Sequence, residues 1–412
     1  MTGESHVRDD DFVDYNDPGL PTLSVWPLEN DCPLVVSVSM CLYEIDVENP
    51  ALQKKLENIG FNSADFSNCQ LGPVGSLGVV NLLKRQNLLS LNLMGNTVGT
   101  LGCLEIQTLL LGSTNTNSKC NLSNLDLSFN GIVDEDVKQL VQALTCSDCK
   151  LSSLNLRCNN LGDEGLEHLV QALTHKDCKL RSLNLSDNEI RDTRVKHLIQ
   201  ALTHSDCKLD CLTLSKNGIS DEDVKYLAEA LKHKDCKLSS LDLSQNNIGD
   251  EDVRHLAEAL KHRDCKLSSF CLCDNEIRDK GIEYLVQALT HKDCKLKRLH
   301  ISVNDIRDKG IELLVQALSR KHCKLGYLDL KQLCSEIRKE STESAIVKNA
   351  HYGCELLPFL LEFVRHSLIL LLVKSKNTFM LSSLFVSPAC VDLSENGENS
   401  SFLVLLRQTT KF

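Results

Sequence analysis

CKLSSLNLRCNNLGDEGLEHLVQALTHKD, residues Cys149–Asp177, is a unit that the chain repeats on either side of it. Its cysteine returns every 29 residues, at Cys120, Cys149, Cys178, Cys207, Cys236, Cys265, Cys294 and Cys323. Its asparagine keeps the same step from Asn130 to Asn304, and its aspartate from Asp134 to Asp308. So strict a period means one supersecondary unit stacked on copies of itself. Within the unit, Leu154 and Leu156 are two apart and share one face of a short strand, with Asn155 pointing the other way. The second half changes period. In the preceding unit Val137, Leu140, Val141 and Leu144 fall at i, i+3, i+4 and i+7, one stripe of a helix. Each unit therefore reads as strand, turn, helix and return loop, and neither element can bury its apolar face alone.

The two polar columns have structural readings. The Asp column, Asp134, Asp163, Asp192, Asp221, Asp250, Asp279 and Asp308, precedes the helical stripe, where a carboxylate suits an N-cap. The Asn column sits where the chain leaves the strand. An amide both donates and accepts there, and can satisfy backbone groups that have lost their ladder partners. Neighbouring strands pair in parallel about 5 Å apart while helices need about 10 Å, so the stack must bend with the sheet inside. The expected fold is an α/β solenoid, a horseshoe of about ten repeats with a parallel concave sheet and convex helices.

Leu151, Leu154, Leu156, Asn159 and Leu161 match L-x-x-L-x-L-x-x-N-x-L, the leucine-rich-repeat pattern. The units resemble the ribonuclease-inhibitor class of these repeats, in particular the C-terminal repeats of NOD-like receptors. CKLSSLDLSQNNIGDEDVRHLAEALKHRD (Cys236–Asp264) looks much like repeats of the large NOD-like receptor families of fish and marine invertebrates. The resemblance is clean over about 120–330. Phe61–Gly75, with Cys69 at the Asn position, and Leu89–Gly102, with Asn96 in place, look like degenerate leading units. Ribonuclease inhibitor alternates a Cys-type with an Asn-type unit, whereas the regular units here are all Asn-type. A whole NOD-like receptor also carries a nucleotide-binding domain, and no G-x-x-x-x-G-K-[ST] occurs in these 412 residues. The resemblance thus implies a sensing arm or a stand-alone relative of one.

The flanks differ in kind. Residues 1–50 hold 11 acids against one base, Arg8, and five of the eight prolines, which predicts a weakly ordered acidic arm. Residues 51–119 read as degenerate leading repeats or an N-terminal cap, 120–339 as regular repeats, and 340–412 as a divergent C-terminal cap or irregular tail. That last segment holds six of the eleven phenylalanines, and something must cover the last repeat's apolar edge. A fragmentary gene model of a larger receptor would also leave such a segment.

The chain's net charge is −11, and residues 121–330 mix 34 acids with 30 bases in no basic stripe, which disfavours nucleic-acid binding. Ser367–Val373, the longest uncharged run of the most apolar stretch, is far short of a membrane span, so no membrane insertion is expected. Twenty cysteines with no apolar signal in Met1–Asp11 point to a reducing compartment and a cytoplasmic protein. The column cysteines read as small buried hydrophobes, although a stacked row of thiols would make oxidation of one pair a strain on the array.

No nucleophile–base pair can be assembled, so neither catalysis nor a cofactor is expected. The H-x-x-C pairs, from His175/Cys178 to His291/Cys294, supply at most two metal ligands each where zinc wants four. His168, His197 and His255, with Tyr226 and Tyr284, share one helical column and read as spacers.

The concave strand positions carry the functional expectation. Stacking aligns Asp126, Asn155, Asn184, Thr213, Asp242, Cys271, His300 and Asp329 in one row. A second runs Ser128, Arg157, Ser186, Ser215, Ser244, Cys273, Ser302 and Lys331. A third runs Phe129, Cys158, Asp187, Lys216, Gln245, Asp274, Val303 and Gln332. The framework is strict while the third row varies in size and charge, as an adjustable protein-binding surface would. Phe129, Arg157, His300 and Tyr327 are the expected anchors, since aromatics and arginine carry most interface energy. The expected function is protein recognition in innate sensing or its regulation. The alternatives are a ribonuclease-inhibitor-like protein that occludes a basic enzyme with its concave aspartates, and a Ran-type GTPase activator. The sequence sets no oligomeric state.

Overall fold

The computed structural model describes residues 62–84, 87–112, 120–188, 190 and 193–330, together with the backbone of three later strands. The expectations for the 1–50 arm, for 51–61, for Lys331 and Gln332 and for most of 340–412 lie outside the described residues.

Ten three-residue strands form one parallel sheet in chain order: β1 (Ser63–Asp65), β2 (Ser90–Asn92), β3 (Asn124–Asp126), β4 (Ser153–Asn155), β5 (Ser182–Asn184), β6 (Cys211–Thr213), β7 (Ser240–Asp242), β8 (Ser269–Cys271), β9 (Arg298–His300) and β10 (Tyr327–Asp329). Each pairs with the next in the register that the period predicts, Leu154 against Leu183 and Leu183 against Leu212. β2 pairs with β3 as Leu91 against Leu125, so the ladder keeps its register although Asn130 follows Asn96 by 34 residues rather than 29. Beyond β10, β11 (Leu371–Ser375), β12 (Thr378–Ser382) and β13 (Val391–Leu393) continue the sheet in antiparallel pairing.

Nine helices alternate with the parallel strands among the described residues: α1 (Gly72–Leu83), α2 (Gly99–Leu111), α3 (Asp134–Leu144), α4 (Asp163–Leu173), α5 (Thr193–Ala201), α6 (Asp221–Leu231), α7 (Asp250–Leu260), α8 (Asp279–Leu289) and α9 (Asp308–Leu318). In α7, Val253, Leu256, Ala257 and Leu260 are buried, one stripe at helical spacing. The strand-centre residue is buried in every unit from Leu91 to Leu328, with Phe270 standing where its neighbours have leucine. The core is thus one continuous layer between sheet and helices. α1 and α2 differ outside it: Val74, Leu101, Leu104 and Leu111 are exposed apolar residues, where the later helices carry charge.

The Asn ladder forms as expected, and each rung ties adjacent units. Asn159 Oδ1 accepts from the backbone N–H of Asn130 (3.0 Å) and Ile132 (2.9 Å) of the preceding unit. Its Nδ2 donates to Leu127 O (3.0 Å), Leu156 O (2.9 Å) and Arg157 O (3.2 Å).

The Asp column does something other than expected. Asp134, Asp163, Asp221, Asp250, Asp279 and Asp308 are each the first helical residue, and the residue before each is the N-cap; Asp192 lies outside the described residues. In several units the column carboxylate reaches forward to the following helix. Asp250 Oδ1 accepts from the N–H groups of Arg278 (2.9 Å) and Gly281 (2.8 Å), the N-cap and third residue of α8. Asp279 does the same for Arg307 (2.9 Å) and Gly310 (3.1 Å) of α9, and Asp134 accepts from Gly162 (2.6 Å) before α4. In α3, α6 and α7 the third helical residue is aspartate instead, and it caps its own helix: Asp136, Asp223 and Asp252 accept from the N–H of Val133, Ser220 and Gly249. The reason is space. A helix with glycine third admits the preceding unit's carboxylate, and one with aspartate third supplies its own.

A lysine column also joins units. Lys266 Nζ donates to Lys234 O (3.0 Å) and Cys236 O (2.7 Å), and Lys179, Lys208, Lys237, Lys295 and Lys324 repeat the pattern. These are charge-assisted bonds to return-loop carbonyls that no helix or strand satisfies. Beside them the column thiols are buried from Cys149 to Cys323. Burial pushes Cys149 and Cys265 up to about 11, and neighbouring column thiols add to the effect. Such thiols stay protonated and poorly nucleophilic at neutral pH.

Candidate functional site

The open face of the sheet gathers the expected binding residues, but in two layers. The first row is held close to the sheet by its own hydrogen bonds. Asn155 Nδ2 donates to Asp126 Oδ2 (2.8 Å), and Asn184 Oδ1 accepts from Ser186 N (2.9 Å) and Oγ (2.7 Å). Asp242 Oδ1 accepts from Ser244 N (2.8 Å) and from the Ser244 hydroxyl. Thr213 sits in register between Asn184 and Asp242. Asp242, Cys271 and Asp329 are buried, so they support the face rather than present it. His300 stacks on Tyr327 at 4.8 Å between ring centroids, and its Nδ1 lies 3.8 Å from Asp329 Oδ2. His300 is only 12% exposed at its side chain, which makes this pair a packed corner more than a free anchor.

The third row is the presented one. Phe129, Lys216, Gln245, Asp274 and Val303 are exposed, and Cys158 and Asp187 half-buried. All seven residues have left-handed backbone, from φ 51° at Cys158 to φ 56° at Phe129, Asp187 and Gln245. Here the chain turns off the strand, and from Phe129 to Asp274 each N–H still reaches the next unit, as Phe129 N does to Arg157 O (2.9 Å). Non-glycine residues resist this conformation, and β-branched ones most. The side chains that occupy it are linked across units. Cys158 Sγ donates to Asp187 Oδ2 (3.0 Å), Lys216 Nζ pairs with the same oxygen (2.9 Å), and Gln245 Nε2 donates to Asp274 Oδ2 (2.9 Å). Burial and the Asp187 carboxylate together push Cys158 up to about 11.

Phe129 is 47% exposed, and the Arg157 guanidinium carbon stands 5.6 Å from its ring centroid. Arg157 Nε is buried without a hydrogen-bond partner. Val303 is the clearest case of strain, a β-branched residue at φ 55° with an exposed side chain. Val303→Gly is expected to raise stability by about 1 kcal/mol, because relief of the left-handed penalty exceeds the added chain entropy. Urea melts of both proteins check it; a lower midpoint for the glycine variant would mean that the valine packs usefully.

The histidines of the H-x-x-C pairs sit in the return loops. His262 Nδ1 accepts from Asp264 N (3.3 Å) while Cys265 N donates to His262 O (3.1 Å), and the other four pairs repeat this turn. On the helices, Tyr226 lies under Lys196 Nζ (4.6 Å) and donates to Glu222 (3.0 Å), and His255 lies beside the Arg254 guanidinium (3.3 Å). Among the described residues no group of three or more His, Cys, Asp or Glu could hold a metal ion. None of their helices is long and apolar enough to cross a membrane.

A family model described as a leucine-rich repeat matches seven segments: 84–106, 118–141, 147–170, 176–193, 205–228, 234–257 and 292–315. Among solved structures the chain is similar to TLR13 in its complex with ssRNA13 (21% identity, TM-score 0.38, covering 62% of this chain and 34% of that one). It thus spans about a third of that protein's length. It is also similar to the leucine-rich-repeat protein LegL7 of Legionella pneumophila (18%, TM-score 0.46, 77% and 95%). An internalin, InlF, of Listeria monocytogenes is a further relative in shape (19%, TM-score 0.32, 71% and 93%). No curated protein matches the chain.

Proposed function

We propose that this leucine-rich-repeat protein is a recognition module whose open sheet face, centred on Phe129 and Arg157, takes a protein ligand. One observation carries the reading: an exposed aromatic ring raised on strained left-handed backbone, with a half-buried guanidinium beside it whose Nε lacks a partner. Strain is retained where the surroundings hold it, and aromatic–arginine pairs on rigid supports are what interfaces use as anchors. Lys216, Gln245 and Asp274 extend the presented row beyond the anchor.

The finer reading is a cytoplasmic, NOD-like-receptor-type sensing or regulatory arm, binding rather than catalysing. Its support is the likeness of the repeat sequences to those receptors and a column of protonated, buried thiols suited to a reducing compartment. The face suits occlusion of a basic enzyme less well. Asp126, Asp187, Asp242 and Asp274 already accept hydrogen bonds from neighbouring side chains, and Asp329 lies against His300, so their charge is partly spent internally.

Affinity capture with the full chain tests the proposal against a matched variant, Phe129→Asp with Arg157→Ser. Both replacements are residues that sister units carry at the same positions, as Asp187 and Ser186 do, so the fold is expected to survive. A partner held by the parent and weakened at least about tenfold by the variant supports the reading. Equal recovery by both baits overturns it.

A further inference from the structure

On the open face, one unit departs from the rest in chemistry rather than size. At the first and second rows most units pair a short polar residue with serine or arginine, as in Asp126/Ser128, Asn184/Ser186 and Asp242/Ser244. The unit of β8 puts thiols at both positions, Cys271 and Cys273. Two apart on an extended chain, they face the same way. The Cys271 thiol donates to Cys273 Sγ at 3.4 Å. Ser244 Oγ lies 3.1 Å from Cys271 Sγ, and Ser302 Oγ lies 3.4 Å from Cys273 Sγ. Cys271 is buried, while Cys273 is half-buried and opens to the face, which leaves a way in.

We propose that Cys271 and Cys273 form a two-coordinate dithiolate site for a soft monovalent cation, Cu(I). Two thiolates select such an ion by softness. Zinc would need four converging ligands, and no third metal-ligating side chain joins the two sulfurs among the described residues. The spacing favours a bridging ion over a disulfide. Two residues apart on a strand, Cα atoms lie about 6.6 Å from each other, the far end of the disulfide range. Two metal–sulfur bonds of about 2.3 Å span anything up to roughly 4.6 Å, so rotation of the two side chains suffices for the ion. Binding is a simple exchange: one Cu(I) enters, two S–H protons leave to solvent, and no electron moves.

The charges around the pair agree. The Cys271 thiol points its hydrogen at Cys273 Sγ, so Cys273, the more open of the two sulfurs, meets an entering ion first. Asp242 beside Cys271 and Asp329 beside Cys273 oppose the second negative charge, and an entering cation relieves that opposition. This site does not depend on protein recognition by the Phe129 end of the face.

The test uses the full chain with reduced thiols, without oxygen, titrated with Cu(I) in acetonitrile against the chelator bicinchoninate. The decisive variant is Cys271→Asn with Cys273→Ser, which restores the Asn184/Ser186 pairing of the β5 unit without adding a carboxylate beside Asp242, and is expected to melt like the parent. It should withhold one Cu(I) per chain fewer than the parent does. Cys158→Ser, which removes a half-buried thiol elsewhere on the face, should withhold as many as the parent. X-ray absorption of the parent at one equivalent should give a shell of two sulfurs. The proposal fails if the double variant keeps the parent's stoichiometry, if Cys158→Ser loses the same equivalent, or if the first ion shows another shell.

Discussion

Asn159→Ala is expected to lower the unfolding free energy by about 4 kcal/mol, more than most leucine truncations in the same core. The residue is buried, and its amide satisfies two N–H groups and three carbonyls at once. Alanine leaves these groups in place without the amide, and an orphaned buried polar group costs about 1–3 kcal/mol. The sum is kept below the full total because a water entering the space can recover part of it. Three of these five bonds run to the preceding unit's backbone and two hold the residue's own turn, so much of the damage falls on the coupling between stacked units, which is where a one-dimensional array gets its cooperativity. Urea unfolding followed by far-UV circular dichroism checks the size. Asn160→Ala is the control: Asn160 is exposed, and the bond it makes to Ile132 O is through its backbone, so its midpoint should move by less than about 0.5 kcal/mol. Equal effects of the two substitutions would remove the ladder from the account of stability.

The period made the strands, the helices, their register and this ladder legible, because each follows from alignment at 29 residues and from the two spacings within a unit. Contacts between units were harder to read. The Asp column was assigned to its own helix because each aspartate stands where the helical stripe begins, whereas the hydrogen bonds of Asp250 run to residues 28 and 31 positions onward. The signal was present in the triplet that opens each helical stripe, D-E-D in three units and D-x-G in three, in which glycine marks the helices that accept a neighbour's carboxylate. The lysine after each column cysteine from Cys178 to Cys323 was equally visible, but its partners are backbone carbonyls, which leave no trace in a sequence. The left-handed third row was concealed by its residues. Phe129, Lys216, Gln245 and Val303 are poor markers of that conformation, although Asn68 and Gly95 occupy the same position in the two leading units and do favour it. The alignment of the rows on the open face was therefore legible from the period. Which row stands outward depends on the turn geometry and on the hydrogen bonds that hold Asp242, Cys271 and Asp329 down.

Gly281→Ala should destabilise the protein by about 2 kcal/mol even though alanine is the better helix former by about 1 kcal/mol. A Cβ at this position would stand 2.6 Å from Asp250 Oδ1 and 2.8 Å from Ile277 Cγ2. To make room the carboxylate must swing away, and with it go the bonds to Arg278 N and Gly281 N that close the start of α8. Gly249→Ala provides the contrast. Gly249 is the N-cap of α7 with φ −100°, and its nearest neighbour to an added Cβ is Asp252 Oδ2 at 3.8 Å, so nothing clashes. The lost N-cap preference is offset in part by the chain entropy that alanine removes, and this change should cost less than about 1 kcal/mol. A double-mutant cycle separates the cause. With Asp250→Ala already present, Gly281→Ala should cost less by at least about 1 kcal/mol, because the carboxylate it would displace has gone and only Ile277 resists. Additive costs in that cycle would mean that the glycine serves its own helix and that the capping between units contributes nothing to stability. Coupling would mean that each D-x-G helix draws its N-terminus from the unit before it, so that α8 and α9 are ordered through contact with their predecessors rather than by their own sequence.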